Sequence, residues 1–282
     1  MDKNRNNEVL NSTIFMGYMY RKQHDLLYSK DAAVAREVIN EYYSGKVKRL
    51  DPSIIHRRFV NQYIKNESAM EGVHDAPEIK GLAVMYEDMV EMPFNEFELF
   101  SLLSLHRNLY SMCPHPEAGG KFRTGDVFLP GTGTELVNYS FIFDKMIEYE
   151  DIFNPLKKMA YYMKNSNDYS YLFEYVDRCV RLNCKLIKLH PFQDGNGRTI
   201  RCFLNKMFIE AGIPPVYIKL DEKTEYARAM NLANNEGDFN DIVGFYLYKI
   251  CDSIIDLDIN QRIKEEKNSN IYEKKKTKKK KK

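Results

Sequence analysis

One stretch of twelve residues, His190-Pro-Phe-Gln-Asp-Gly-Asn-Gly-Arg-Thr-Ile-Arg201, brings together a titratable base, a carboxylate, two glycines flanking an asparagine, and two arginines three positions apart. A histidine has an unperturbed pKa of roughly 6.5, so His190 can accept a proton near neutral pH. Asp194 supplies a hard carboxylate oxygen of the kind Mg²⁺ prefers, and that ion usually completes its shell with waters and substrate phosphates. Gly195 and Gly197 permit backbone torsions that other residues resist, so the amides from Gly195 to Arg198 can turn together toward one anion. These are the parts of a phosphate-handling site.

The elements around the stretch must position those groups. Ile200, Phe203, Leu204, Met207 and Phe208 repeat at helical spacing, which predicts a helix whose N-terminus points at the same anion. Arg198 and Arg201 fall together on its more polar side, within reach of a polyphosphate at the helix start. The preceding run, Tyr169–Lys188, carries the stripe Leu172, Val176, Cys179, Val180 and Ile187, so it is expected to be a central core helix that ends just before His190. Further helices are expected at Glu8–Gln23, Ala32–Tyr43, Ile54–Met70, Pro77–Met92, Glu96–Leu109, Phe141–Glu148, Pro155–Lys164, Thr224–Asn234 and Phe239–Ile255. Pro52 in a first turn and Gly72 as a stop bound the third of these. The segment Lys121-Phe-Arg-Thr-Gly-Asp-Val-Phe-Leu-Pro-Gly-Thr-Gly133 is the one convincing β signal and reads as a hairpin.

The twelve-residue stretch resembles the signature of the Fic family, His-Pro-Phe-x-Asp/Glu-Gly-Asn-Gly-Arg-x-x-Arg, at every specified position. Most family members with the full signature move AMP from ATP onto a protein hydroxyl. The resemblance implies that His190 deprotonates a Ser, Thr or Tyr hydroxyl of a target protein and that Asp194 holds Mg²⁺ across the α- and β-phosphates. It implies that Gly195, Asn196 and Gly197 cradle the phosphates while Arg198 and Arg201 bind their outer part.

Three other segments extend the resemblance. Many Fic proteins carry an inhibitory helix with Ser/Thr-x-x-x-Glu-Gly/Asn, whose glutamate pairs with the second signature arginine. Here Glu71-Gly72 matches, but Glu67 stands four positions before Glu71 and the nearest serine, Ser68, stands three before it. Glu71, with Ser68, is expected to inhibit. The hairpin resembles the Fic flap, implying that Arg123, Thr124, Gly125, Asp126, Val127, Phe128 and Leu129 bind an extended target segment by edge pairing. Tyr226 and Asn234 fall where family members place an aromatic and an asparagine beside the adenine.

The remaining sequence bounds the partners. Of 282 residues, 44% are hydrophobic, enough for a sizeable core. The net charge of +2 includes eight lysines at 274–276 and 278–282; without them residues 1–273 carry −6, so nucleic-acid binding is expected at most through that tail. A lysine run of this composition is expected to be solvated and disordered. Five cysteines, Cys113, Cys179, Cys184, Cys202 and Cys251, show no Cys-x-x-Cys pair, which predicts reduced thiols without structural zinc. His24, His56, His74, His106 and His115 have no metal spacing and are expected to pack or lie at the surface. No run reaches the length of a membrane span and the first residues lack the apolar core of a signal peptide, so a cytoplasmic location is expected.

The reading is therefore an all-α Fic-type fold with a small β-hairpin flap. A helical region at 1–93 includes the inhibitory helix (about 53–72), a catalytic domain covers 94–257, and a polar lysine-rich tail covers 258–282. The expected activity is protein adenylyltransfer with ATP as substrate, Mg²⁺ as cofactor, restraint by Glu71, self-modification as one outcome, and an oligomer allowed. Three alternatives stand beside it: removal of AMP from a modified protein with Glu71 orienting a water, transfer of another nucleotide or phosphate group, and a non-catalytic adaptor. The intact His190 and Asp194 argue against the last.

Overall fold

The structure, a computed structural model, describes residues 32–44, 52–129 and 133–256, with the backbone alone at 52–58. The helix expected at Glu8–Gln23 and the lysine run at 274–282 lie outside the described residues. Two compact units are formed, one from Met1–Arg58 with Cys251–Lys282 and one from Phe59–Ile250. In the first, α1 (Ala32–Tyr43) turns Ala35, Val38, Ile39 and Tyr42 inward at helical spacing.

The second unit contains the site. It takes in the last part of α2 (Pro52–Glu71), then α3 (Ala76–Glu91), α4 (Ser101–Tyr110), α5 (Ile142–Ser166), α6 (Leu172–Leu189), α7 (Asn196–Glu210) and α8 (Lys223–Asn231). A single π turn follows at Leu232–Glu236, and α9 occupies 240–256. α2 ends because Gly72 adopts φ +68°, a left-handed torsion that glycine takes without a Cβ penalty. The amide of Val73 then donates to the Ser68 carbonyl at 2.8 Å and closes the last turn.

α7 lies at the centre, packed by α3, α4, α5 and α6. Between Asn196 and Phe208 every residue except Gly197 is buried. The polar side expected for this helix is thus not a solvated one: its charges are buried and met by protein partners. Lys206, fully buried, donates to the Met92 carbonyl at 2.6 Å and pairs with Glu210 at 2.8 Å. On another side, Phe203 meets Phe97 and Phe153 with ring centroids 4.6 and 5.4 Å apart.

Three local expectations are corrected. Separate helices were expected at Phe141–Glu148 and Pro155–Lys164, but a single helix, α5, runs through the intervening residues and Pro155. Buried Phe153, Leu156, Ala160 and Met163 anchor both sides of the proline, so tertiary packing offsets the lost backbone bond. α4 begins at Ser101 and not at Glu96, because the buried side chains of Phe97 and Leu99 are set by turns in which the Ser101 hydroxyl accepts from the Glu98 amide at 3.0 Å. Finally, no strand forms among the described residues of 121–138. No ladder joins the described residues of the two limbs; Arg123 N–H donates to Pro191 O at 2.9 Å and Val137 N–H to Lys188 O at 3.4 Å, so their backbones attach to the end of α6 and the first residues of the signature.

Candidate active site

α6 terminates one residue before the histidine. His190 adopts φ +49°, ψ +60°, left-handed torsions that cost a non-glycine residue roughly 1–2 kcal/mol, and its amide still donates to Leu186 O at 3.0 Å. The conformation persists because Arg123 grips the turn: Nε donates to the His190 carbonyl at 2.8 Å, Nη1 to Gly125 O at 2.9 Å, and Nη2 to the Val137 carbonyl. Burial holds the imidazole pKa below its ordinary value, with the Arg123 charge acting the same way and the Ile187 carbonyl, Asp194 and Glu71 opposing. His190 is therefore neutral at pH 7, the form a base requires.

The turn from Phe192 to Gly197 is stapled from within. Asn196 is buried, and its amide side chain accepts from Phe192 N–H at 2.9 Å and donates to Phe192 O at 2.8 Å. Its side chain is thus turned away from any ligand, and only its main chain can join the phosphate cradle expected of it. Gly195 takes φ +72°, and a Cβ there would approach Leu109 Cδ2 to 2.9 Å and the Tyr110 hydroxyl to 3.1 Å. Only glycine fits.

α4 holds the acidic residue through a pair of side chains one turn apart. Tyr110 donates its hydroxyl to Asp194 Oδ2 at 3.0 Å, and burial and the Asp194 charge both raise its pKa, keeping that hydroxyl protonated. His106 Nδ1 accepts from the Gly120 amide at 2.9 Å, which leaves Nε2 to donate to the Asp194 carbonyl at 3.0 Å. Its ring stacks on Phe192 with centroids 3.8 Å apart. The sequence marks His106 only as a packing or surface residue; its i, i+4 relation to Tyr110 on α4 is the signal that both serve one loop. The Asp194 carboxylate remains 78% exposed at the mouth of the site, 3.9 Å from Arg198 Nη2. One open carboxylate beside a phosphate cradle suits Mg²⁺, which takes few protein ligands and several from phosphate and water. Among the described residues no cluster of three or more His, Cys, Asp or Glu forms an all-protein cage.

Both signature arginines are engaged by carboxylates. Arg198 Nη1 bonds Glu78 Oε1 of α3, a partner the sequence reading missed. Arg201 is held by two glutamates of α2: Glu67 accepts from Nε at 3.1 and 2.9 Å and forms an ion pair with Nη2 at 2.8 Å, and Glu71 Oε1 accepts from Nη2. Burial disfavours the charged Arg201, yet Glu67 and Glu71 more than offset it and push its pKa up. Burial also opposes the Glu71 carboxylate, and Arg201 overcomes this to hold its pKa below the usual carboxylate value. The Glu71 carboxylate lies over Gly197, where a Cβ would come within 2.5 Å of Oε1. It thus occupies space above the amides that an anion would use. Lys223 of α8 fastens the end of α2 by donating to Met70 O at 2.6 Å. Ser68 takes no part: its hydroxyl is buried without a hydrogen-bond partner, and Glu67 stands in its place against Arg201.

The remaining expected residues fall less simply. Arg123 is an internal fastener with no exposed side-chain surface, whereas Asp126, 60% exposed, accepts from Asn138 Nδ2 at 3.0 Å and from the Tyr139 amide at 3.1 Å and so ties the limb to the start of the next helix. Thr124, Gly125, Val127, Phe128 and Leu129 stay on the outer limb, with Phe128 exposed. Tyr226 is buried beneath Arg201, its ring centroid 5.9 Å from the guanidinium carbon and packed on Phe245 and Tyr246, so no face of it is open to a base. Asn234 is half-buried in the π turn, its carbonyl accepting from Lys188 Nζ at 2.7 Å.

A helical core that presents a histidine, an acidic residue and a glycine-bounded helix N-terminus at one mouth defines a class, and comparison with known proteins names it. Residues 96–208 match the Fic/DOC family, and this part of the chain belongs to it. The chain is 30% identical over 191 residues to the "Protein adenylyltransferase Fic" of Drosophila willistoni, covering 64% of this chain and 34% of that protein. It is 30% identical over 214 residues to the protein of the same name from Culex quinquefasciatus, covering 72% of this chain and 38% of that one. The chain thus spans about a third of the length of these curated relatives. Among solved structures it resembles Fic-1 of C. elegans (TM-score 0.63, 20% identity, 83% of this chain and 74% of that one). It also resembles a Fic domain containing signaling protein from Bacteroides thetaiotaomicron (TM-score 0.59, 15% identity, 79% and 97%). These likenesses establish the all-α fold.

Proposed function

We propose that the chain is a protein adenylyltransferase that moves AMP from ATP to a hydroxyl side chain of a target protein and is restrained by Glu71. The observation that carries the reading is the convergence, at the start of α7, of a neutral His190, an open Asp194 carboxylate and the glycine-bounded amides, with a glutamate seated where phosphates would lie. The curated relatives' name supports the same reaction.

In this mechanism the amides of Gly195 to Arg198 and the guanidinium groups of Arg198 and Arg201 hold the phosphates, which favours in-line geometry by positioning and charge neutralisation. Bound Mg²⁺, with Asp194 as its protein ligand, would neutralise charge between the phosphates. His190 takes the proton of the target hydroxyl as its oxygen bonds to the α-phosphorus, and the bond to pyrophosphate breaks. The outer limb from Thr124 to Leu129, with Phe128 exposed, is where the target chain would lie, and Asn234 is the remaining candidate beside the adenine. We assign the reaction to residues 94–257 and the restraint to the helix ending at Glu71. Free thiols at all five cysteines favour a reducing, cytoplasmic setting, and no helix among the described residues is long and apolar enough to cross a membrane.

The test is labelling from radioactive ATP by the natural chain, Glu71→Gly and Glu71→Gly/His190→Ala at matched concentrations. Label on protein should rise well above the natural chain in Glu71→Gly and vanish in the double variant. Equal labelling by all three would refute the reading, and faster AMP removal by the natural chain than by Glu71→Gly would favour hydrolysis.

A further inference from the structure

Two carboxylates bind Arg201, and they are not equivalent. Glu71 is the last residue of α2, its side chain is 34% exposed, and the glycine that follows has nothing within 4 Å of where a Cβ would stand. Such a residue can swing aside when a phosphate arrives. Glu67 sits one turn earlier, is fully buried, and makes three contacts of 2.8–3.1 Å to two nitrogens of the same guanidinium. Removing it from that position would require α2 itself to withdraw. Tyr63, also fully buried, lies one turn before it on the same helix and fixes the register.

We infer that Glu67 is a specificity-determining residue that stays on Arg201 when nucleotide binds, matching the guanidinium charge from behind and lowering the affinity of the site for the terminal phosphate. This deepens the adenylyltransferase reading, on which it rests. A guanidinium already paired by a bidentate carboxylate retains its donor geometry on Nη1 and, once Glu71 leaves, part of Nη2. It offers a phosphate hydrogen bonds with little net charge. The remaining pull on ATP then comes from the amides of the α7 N-terminus and from Arg198, itself paired to Glu78. Displacing Glu71 alone thus opens the site without giving it the full attraction of a bare arginine. A serine or threonine in place of Glu67 would impose no such limit.

Equilibrium binding of Mg·ATP, Mg·ADP and AMP to Glu71→Gly and Glu71→Gly/Glu67→Gln tests this. Glutamine keeps the shape and one acceptor while removing the charge; Glu71→Gly/Glu67→Ser serves as the second variant if the first does not fold. One unit charge removed some 7 Å from a phosphate is expected to tighten ATP binding roughly three- to fifty-fold at low salt. The gain should shrink in 0.5 M salt and be absent for AMP, which carries no terminal phosphate to reach Arg201. A purely structural role for Glu67 would leave ATP affinity unchanged or weaken it, and either result, with Glu71→Gly still binding ATP, overturns this inference alone. A gain equal for ATP and AMP overturns it as well. If neither variant binds ATP, the nucleotide reading of the site fails and takes the inference with it.

Discussion

Arg123 Nε donates to the main-chain oxygen of His190 at 2.8 Å across 67 residues of sequence. This contact joins the outer limb to the base, so disturbance of one is transmitted to the orientation of the other. Arg123 has no exposed side-chain surface, and its donors satisfy carbonyls from Gly125, Val137 and Leu189 besides that of His190.

Arg123→Lys is expected to lower both stability and turnover. A lysine retains the charge but not the planar set of donors, leaving buried carbonyls unpaired at a cost of about 2–4 kcal/mol. Thermal unfolding gives the first quantity. The second appears as a fall in kcat with KM for ATP little changed, because the phosphate ligands lie elsewhere. A variant with unaltered melting and turnover would show that the turn at His190 holds itself.

His190→Ala should reduce transfer by a general-base factor on the order of 10²–10⁴ while leaving ATP binding intact. In Glu71→Gly, which lacks one of the charges that raise the His190 pKa, the acid limb should also be displaced. Because burial lowers the His190 pKa, the neutral base persists as pH falls below 6.5, and the rate declines only at lower pH. A pH–rate profile of Glu71→Gly measures this, and an acid limb above 6.5 contradicts it.

Tyr110→Phe removes one hydrogen bond from Asp194 Oδ2 and nothing else from the cradle. The Mg²⁺ concentration giving half-maximal rate should rise several-fold, with a stability change near 1 kcal/mol. Asp194→Ala should abolish the Mg²⁺ dependence together with most of the activity. Titration of Mg²⁺ into both variants, and into the natural chain after EDTA treatment, decides whether Asp194 is the ligand.

His106 supplies a stability prediction with a definite sign. Burial brings its pKa from 6.5 to about 4, with the Asp194 carbonyl and carboxylate opposing. Below 6.5 the unfolded chain binds a proton that the folded chain refuses. The contribution is therefore complete above pH 6.5 and is lost progressively as pH falls toward 4, by on the order of 3 kcal/mol. Denaturant unfolding between pH 7 and 4, compared with His106→Gln in the same buffers, should show that much less acid sensitivity in the variant.

The chemistry was legible because it is local. Twelve adjacent residues contain the base, the carboxylate, the glycines and both arginines, and the helix that follows them is marked by its own apolar spacing. The bounds of α1 were readable for the same reason, since a proline-free apolar period ends at Ser44-Gly45. What escaped depends on distance. Glu67 meets Arg201 across 134 residues and Glu78 meets Arg198 across 120, and no spacing rule registers a pair so separated. The continuity of α5 through Pro155 and the absence of strand pairing at the described limbs of 121–138 likewise follow from tertiary partners that override local preference.

Gly197 gives the restraint an unusual security. A side chain there would collide with the Glu71 carboxylate at 2.5 Å and with Arg201 Nη1 at 2.8 Å, in the same pocket of space a phosphate would enter. In the proposed mechanism Glu71 and the nucleotide phosphates share this one opening, and a side chain at position 197 that shuts out the first also shuts out the second. Substitution at Gly197 therefore cannot lift the proposed restraint and spare the phosphate cradle. Release in that mechanism comes from the α2 side, which would hand control of the activity to whatever moves or replaces that helix.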